Sequence, residues 1–180
     1  MKSALLFWSL LLPLVLLAQP RIDEHPVYRP NSPVHIIEKI EYTDKSTIIY
    51  FSSTHYGARF YGTEDQTNCW VLKDNKGKIY KLKSVEKVTL NGSLVAPKVS
   101  QTLLLSSKTD ERAKFSCQIH FPKLDKNVKK VDLIEGLANV KKVTAFNAFD
   151  IKVKTVEEIR KDPKKRTPLP IAISTLPTRY

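Results

Sequence analysis

Side chains with catalytic chemistry lie within the stretch KFSCQIHFPKLDKNVKKVDLIEG, residues 114–136. Among them are Cys117, His120, Asp132 and Glu135. A cysteine and a histidine form a nucleophilic pair when their side chains lie within hydrogen-bond reach, and two carboxyl groups supply acid–base catalysis when they converge on one cleft. Whether this stretch forms an active site therefore depends on the direction in which each side chain points.

The spacing within this stretch separates the reactive side chains. In AKFSCQIHF, polar residues alternate with apolar residues and cysteine, which predicts a strand with Cys117 facing inwards and His120 facing outwards. Asp132 and Glu135 fall on opposite faces of the short strand in KKVDLIEG, and we expect them to be solvated or to protect a sheet edge. The stretch is thus predicted to belong to a sheet, and no catalytic residue is assigned.

Short strands are the elements that position these residues. Residues 34–42 and 47–53 form one predicted hairpin, and residues 69–73 and 78–90 form a second hairpin around the turn DNKG. SQTLLLSS, AKFSCQIHF, KKVDLIEG and AFNAFDIKVK supply further strands. The side chains expected inside are Phe115, Ile119, Phe149 and Ile151. This pattern predicts an all-β fold, an immunoglobulin-like antiparallel β-sandwich of about seven to nine strands.

The first residues, 1–18, have the features of a secretory signal peptide. Lys2 is followed by an apolar run, and Ala18 offers a small residue for cleavage. We therefore expect cleavage near Ala18 and a periplasmic or secreted protein. An uncleaved N-terminal anchor helix is the alternative.

Three further segments follow the predicted signal peptide. Residues 19–33 form a proline-rich, extended lead-in, and residues 34–154 form the sandwich. Residues 155–180 form one short helix and an irregular tail rich in proline and lysine, and Thr155 with Glu158 predicts a capping box at the helix start.

The composition is that of one basic, exported domain with two cysteines. The chain has 180 residues and a formal net charge of +12. In an oxidising compartment, Cys69 and Cys117 form either a disulfide or two buried free thiols, and both possibilities stay open. The sequence has no CxxC motif and no metal, phosphate-loop or dinucleotide motif, so we expect no cofactor and no bound metal.

An aromatic cluster is the strongest candidate for ligand contact. Tyr56, Phe60, Tyr61 and Trp70 fall in one loop-and-strand region that also contains Arg59. An exposed aromatic platform suits the binding of a sugar or a protein. The alternative is that these rings fill the core beneath a long connection.

Basic residues in the C-terminal tail are candidates for contact with an anionic surface. Lys164, Lys165 and Arg166 are consecutive there, and such a run either contacts lipid headgroups or acidic glycans or is simply solvated. Export argues against nucleic acid as a partner, and contact with a membrane is expected to be peripheral if it occurs.

Three parts of the sequence resemble an uncharacterised β-sandwich module of exported envelope proteins of Gram-negative bacteria. They are IIEKIEYTDKSTIIYFSS, the Trp70 strand followed by GKIYKL, and FPKLDKNVKKVDLIEG with FNAFDIKVK. The resemblance covers residues 34–154 and implies the sandwich fold. In some of these proteins the module precedes a thioredoxin-like or other enzymatic domain, which we do not expect here because the chain ends soon after the module. The resemblance assigns no catalytic residues.

These observations favour a non-enzymatic accessory or binding module that contacts a protein or a glycan in the cell envelope. One alternative is a secreted hydrolase or redox-associated enzyme with a site around His55, Glu64, Asp65 and His120. A second alternative is an electrostatic tether that acts through the basic tail.

Overall fold

The computed structural model describes residues 20–107, 111–139 and 145–162. Within these residues the chain forms thirteen strands, one turn of 3-10 helix (Leu137–Asn139) and one short helix, α1 (Val156–Lys161). The strands are, in chain order, β1 (Arg21–Asp23), β2 (Arg29–Pro30), β3 (His35–Tyr42), β4 (Ser46–His55), β5 (Gly57–Tyr61), β6 (Trp70–Asp74), β7 (Ile79–Lys81), β8 (Ser84–Leu90), β9 (Ser93–Val99), β10 (Thr102–Ser106), β11 (Ala113–Pro122), β12 (Lys130–Glu135) and β13 (Asn147–Lys152).

Two antiparallel sheets form most of the domain. The six-stranded sheet has the order β1-β3-β4-β11-β8-β9, and the five-stranded sheet has the order β2-β13-β12-β6-β7. One cluster of buried apolar side chains draws on both sheets, with Ile49 and Phe115 from the first and Leu72 and Leu133 from the second. The prediction of an all-β sandwich is therefore confirmed, while the immunoglobulin-like topology stays a prediction.

The strands β5 and β10 form a separate two-stranded ribbon. One residue, Tyr56, separates β4 from β5, and β5 pairs with β10 so that Arg59 lies opposite Leu104. Gly62 follows β5 directly, and a Cβ atom at this position would overlap the backbone of Ser100. Glycine is therefore required where the end of the ribbon meets the neighbouring chain.

Most predicted strands are confirmed, and several strands are additional. The predicted strand at residues 78–90 is two strands, because the chain leaves the five-stranded sheet after β7 and enters the six-stranded sheet at β8. β9 and β5 lie in stretches where no strand was expected, and β1 and β2 form within the predicted lead-in. These additional strands explain why the described residues contain more than the predicted seven to nine.

The inward and outward faces of β11 are as predicted, whereas in β13 the prediction is confirmed for Ile151 and wrong for Phe149. Along β11, buried residues alternate with partly exposed ones. Phe149 was expected inside but is only partly buried, while Ala148 and Ile151 are buried. The pairing of β12 with β13 shifts by one residue here, and Asp150 has a φ of 56°. This bulge turns Phe149 out of the alternating pattern.

The lead-in and the helix are attached to the sandwich by a buried lysine. Lys154 Nζ lies 2.9 Å from Asp23 Oδ1 and 2.8 Å from Asp162 Oδ2. Lys154 and Asp23 are buried, so each charge needs the other to offset its loss of hydration. The predicted capping box of α1 is confirmed, since Thr155 and Glu158 exchange side chain-to-backbone hydrogen bonds.

From the packing of the shared core we expect that removing one of its aromatic rings greatly lowers the stability of the protein. Phe115 is fully buried between the sheets, so Phe115→Ala is expected to lower the free energy of unfolding by about 3–5 kcal/mol. Lys114→Ala, which changes an exposed neighbour in the same strand, serves as the control and should cost less than about 1 kcal/mol. Both values come from urea unfolding. Equal costs would contradict the placement of β11.

Candidate functional site

At one end of the sandwich, the interior face of the six-stranded sheet becomes polar. Side chains two residues apart in a strand share a face, so Ser53 and His55 continue the face on which β4 carries Ile49 and Phe51. His35 of β3 lies opposite Ser53 and adds a second imidazole. The apolar interior therefore gives way to histidine and serine at this end.

The interior face of the five-stranded sheet carries a carboxyl group at the same end. Val131, Leu133 and Glu135 alternate along β12, and the first two belong to the hydrophobic core. Glu135 lies directly opposite Trp70 of β6, a position that brings Cβ atoms to about 4.5–5.5 Å. The carboxyl group thus occupies an interior position beside a buried indole.

The two faces border a cleft of about 660 Å³, called the end cleft below. Part of β5 and residues 145–146 complete its walls. The residues that define it are His35, Ser53, His55, Arg59, Trp70 and Glu135. Its volume lies within the range of about 300–1,000 Å³ that is common for small-ligand sites.

Hydrogen bonds fix Glu135 in place but use only one of its carboxyl oxygens. Oε2 accepts a 2.6 Å hydrogen bond from the Phe146 backbone N–H, and the Glu135 backbone N–H donates to Asn147 Oδ1 at 3.0 Å. Among the described residues, no donor contacts Oε1. A buried carboxyl group with one unused oxygen is therefore part of the cleft lining.

Burial changes the protonation of this carboxyl group. It raises the pKa of Glu135 to about 7, although the Phe146 N–H and the Arg59 charge act in the opposite direction. Removal from water disfavours the charged form. Near neutral pH the group is therefore present in both its neutral and its charged form.

An arginine and a tyrosine lie at the exposed rim of the end cleft. Arg59 Nη1 donates to Tyr61 Oη at 3.4 Å, and the guanidinium carbon lies 5.9 Å from the Tyr61 ring centroid. The hydrogen bond to Tyr61, and more weakly the charge of Glu135, raise the pKa of Arg59. The rim therefore carries a permanent positive charge close to the carboxyl group.

Two further polar atoms of lining residues lack hydrogen-bond partners. His35 Nδ1 and Trp70 Nε1 are buried, and no group among the described residues bonds to them. The His35 ring makes an edge contact with Phe146 at 5.0 Å between centroids. Burial lowers the pKa of His35 to about 4, so this imidazole is neutral at physiological pH.

The structure divides the five residues predicted to contact a ligand. Phe60 and Trp70 are each 1% exposed and belong to the core, as the alternative interpretation expected. Tyr56 and Arg59 are exposed, and Tyr61 is partly exposed. All except Tyr56 line the end cleft. The two buried rings therefore support the cleft, and Arg59 and Tyr61 remain available for contact.

The two cysteines are free thiols, so the disulfide alternative is not supported. Both are buried in the shared core, with Cys117 on β11 of the six-stranded sheet and Cys69 directly before β6 of the other sheet. Burial raises the pKa of both thiols. They act as small apolar residues in this structure.

The residues of the hydrolase alternative do not converge. His55 lies opposite Ala113 in the pairing of β4 with β11, whereas His120 lies opposite Ile48. Seven residues along a strand span about 23 Å, so the two imidazoles lie at opposite ends of the sheet. Asp65 accepts hydrogen bonds from Asn68 in a local turn. This set of residues cannot form one reacting centre.

Glu135 was expected at a solvated or edge position, and this expectation is wrong. Asp132 is partly exposed and accepts a hydrogen bond from the Asp150 N–H, but Glu135 is buried. The sequence contained a signal for this, because Glu135 is two residues after Leu133 and four after Val131. That spacing places it on the core face of the strand.

Some sequence predictions fall on residues that the structure does not describe. They are the signal peptide and the basic residues Lys164, Lys165 and Arg166. In the described part of the chain, no helix has the length and apolar character needed to cross a membrane. Nor does that part contain a group of three or more histidine, cysteine or acidic side chains placed to hold a metal ion.

Comparison with known proteins does not assign the chain to a family. No protein family, no curated protein and no solved structure matches this chain. The resemblance to exported Gram-negative modules therefore stays a prediction from the sequence.

The raised pKa of Glu135 predicts a specific dependence of stability on pH. The folded state binds this proton more tightly than the unfolded state, where the pKa is near 4.5, so Glu135 lowers stability as pH rises from about 5 to about 8. The loss is roughly 2–3 kcal/mol. Glu135→Gln should remove it.

The measurement is the free energy of unfolding of wild type and Glu135→Gln at several pH values. His35 has the opposite effect on stability, because its lowered pKa makes stability fall as pH decreases below about 6.5. This effect is common to both proteins, so the difference between their free energies of unfolding isolates the effect of Glu135. A difference that does not change with pH would show that Glu135 is not buried in the folded protein.

The burial of the two cysteines predicts how their thiols react with a thiol reagent. In protein purified without reductant, Ellman's reagent should not modify the folded chain, because both thiols are buried and have raised pKa values. In denaturant it should modify both cysteines, and prior reduction should not increase the number. A chain that needs reduction before it reacts would contain the disulfide instead.

Proposed function

We propose that the protein is an exported, non-enzymatic binding module that holds a sugar unit of a cell-envelope glycan in the end cleft. The observation that carries this proposal is Oε1 of Glu135, a carboxyl oxygen in the lining of the cleft that no donor among the described residues contacts. This oxygen is not one of the fully buried atoms without a partner, so it is open to the cleft. A ligand hydroxyl would supply the missing partner.

The chemistry around Glu135 supports a sugar rather than a purely apolar ligand. Sugars present hydroxyl groups at their edges and C–H groups at their faces, so their sites combine polar side chains with aromatic rings. Ser53, His55 and Arg59 supply polar groups, and Tyr61 supplies an accessible ring, while the Trp70 ring is buried. A hydroxyl can donate to the ionised carboxyl group or accept from the neutral one, so both forms of Glu135 are compatible with binding.

The cellular location rests on the sequence alone. The signal-like N-terminal residues, 1–18, and the resemblance to exported Gram-negative modules support a role in the envelope. A protein surface is the other partner class that the sequence left open, and a concave site of about 660 Å³ fits a sugar unit better than a flat protein surface.

A glycan screen followed by calorimetry tests the proposal. Arg59→Ala and Tyr61→Ala should each weaken binding of the selected glycan about tenfold or more, because both remove contacts at the rim. Arg160→Ala is the matched control: Arg160 is an exposed arginine of α1, and α1 contacts β1 at the other end of the sandwich. The control should bind as wild type does.

Two outcomes would contradict this assignment. A protein that binds no glycan of the screen, or one whose binding is equally weakened by Arg160→Ala, would remove the end cleft as the binding site. Hydrolysis of the bound glycan that is lost in Glu135→Gln would instead assign the cleft to a hydrolase.

A further inference from the structure

Arg59 presents unused donors at the mouth of the end cleft. A guanidinium group has five N–H donors, and among the described residues Arg59 directs one of them to Tyr61. No carboxylate of those residues forms an ion pair with it. Planar guanidinium groups bind carboxylates through two parallel hydrogen bonds.

Glu135 lies close enough for its charge to interact with that of Arg59. The two groups nevertheless do not form an ion pair, since they are not within contact distance. Both residues line the end cleft, so a ligand group in the cleft can contact both. A negative group fits there if Glu135 is neutral, because the neutral carboxyl group can donate its proton in a hydrogen bond.

We propose that the end cleft selects a sugar that carries a carboxylate, with Arg59 binding the carboxylate and Glu135 hydrogen-bonding to the same unit. This inference rests on the proposed function and adds the charge of the ligand to it. Arg59 gives the rim a positive charge, and the formal net charge of +12 attracts an anionic glycan over longer distances. A cationic sugar would be repelled by both.

The pH dependence of binding follows from the groups around Glu135. The groups that face it are Arg59 of β5 and the Cys117 thiol of β11, and His35 and His55 line the same cleft. His35 is neutral above pH 5, because its pKa is about 4. As pH rises through the pKa of Glu135, which is about 7, the carboxyl group becomes negative and repels the ligand carboxylate.

A matched pair of oligosaccharides tests the charge of the ligand. The probes are a galacturonic acid trimer and its fully methyl-esterified form, which differ in charge but share the same sugar rings. At pH 6 and physiological salt, calorimetry should show that the acid binds about tenfold more tightly than the ester. Arg59→Ala should remove this preference, and Arg160→Ala, which removes the same charge elsewhere, should retain it.

The pH profile tests the part assigned to Glu135. Wild-type affinity for the acid should decrease severalfold between about pH 6 and about pH 8, by no more than tenfold per pH unit. Glu135→Gln keeps a hydrogen-bonding group without the charge, so its affinity should change little over this range. Because His55 lines the same cleft, the Glu135→Gln profile is the reference against which the wild-type profile is compared.

Separate results would overturn the inference and the proposed function. Equal binding of acid and ester would overturn the preference for a carboxylate but leave sugar binding intact. A preference for the acid that Arg160→Ala reduces as much as Arg59→Ala would show general attraction to a basic protein and overturn the site. If no sugar of either form binds, both the inference and the proposed function fail.

Discussion

The packing of two sheets against one shared interior is the constraint on which this structure depends. Each strand directs alternate side chains into that interior, and along most of the sandwich these side chains are apolar. At one end the same positions carry His35, Ser53 and His55 on one sheet and Glu135 on the other. The strands still direct side chains inwards at this end, but these side chains are polar. The polar cleft is therefore formed by the same strands as the core.

Two buried ionisable residues, Lys154 and Glu135, differ in whether they have a partner of opposite charge. Lys154 is buried but contacts Asp23 and Asp162, and it attaches the lead-in and α1 to the sandwich. Among the described residues, no cationic group lies within contact distance of Glu135, and burial raises its pKa. A buried ion pair accounts for the first residue, whereas a strongly shifted, unpaired carboxyl group in a cleft is a common property of functional sites.

The two-stranded ribbon gives the cleft its rim. β5 follows β4 after a single residue and pairs with β10 instead of with either large sheet. Phe60 is buried in the core, while its neighbours in sequence are more accessible: Arg59 is exposed, and Tyr61 is partly exposed at the edge of the core. The ribbon thus anchors itself with one side chain and presents the adjacent ones at the mouth of the cleft, where a ligand would meet them.

The sequence by itself determined the all-β class, the alternation along β11 and the start of α1, because these depend on local periodicity and on hydrogen bonds between near neighbours in the chain. It also contained the inward position of Glu135, in the spacing from Val131 and Leu133. Only the tertiary structure decided which strands share a sheet, that the chain changes sheets between β7 and β8, and that the bulge beside Asp150 turns Phe149 outwards. It also decided that His35, Arg59 and Glu135 line one cleft, since no local pattern encodes the pairing of strands that are far apart in the chain.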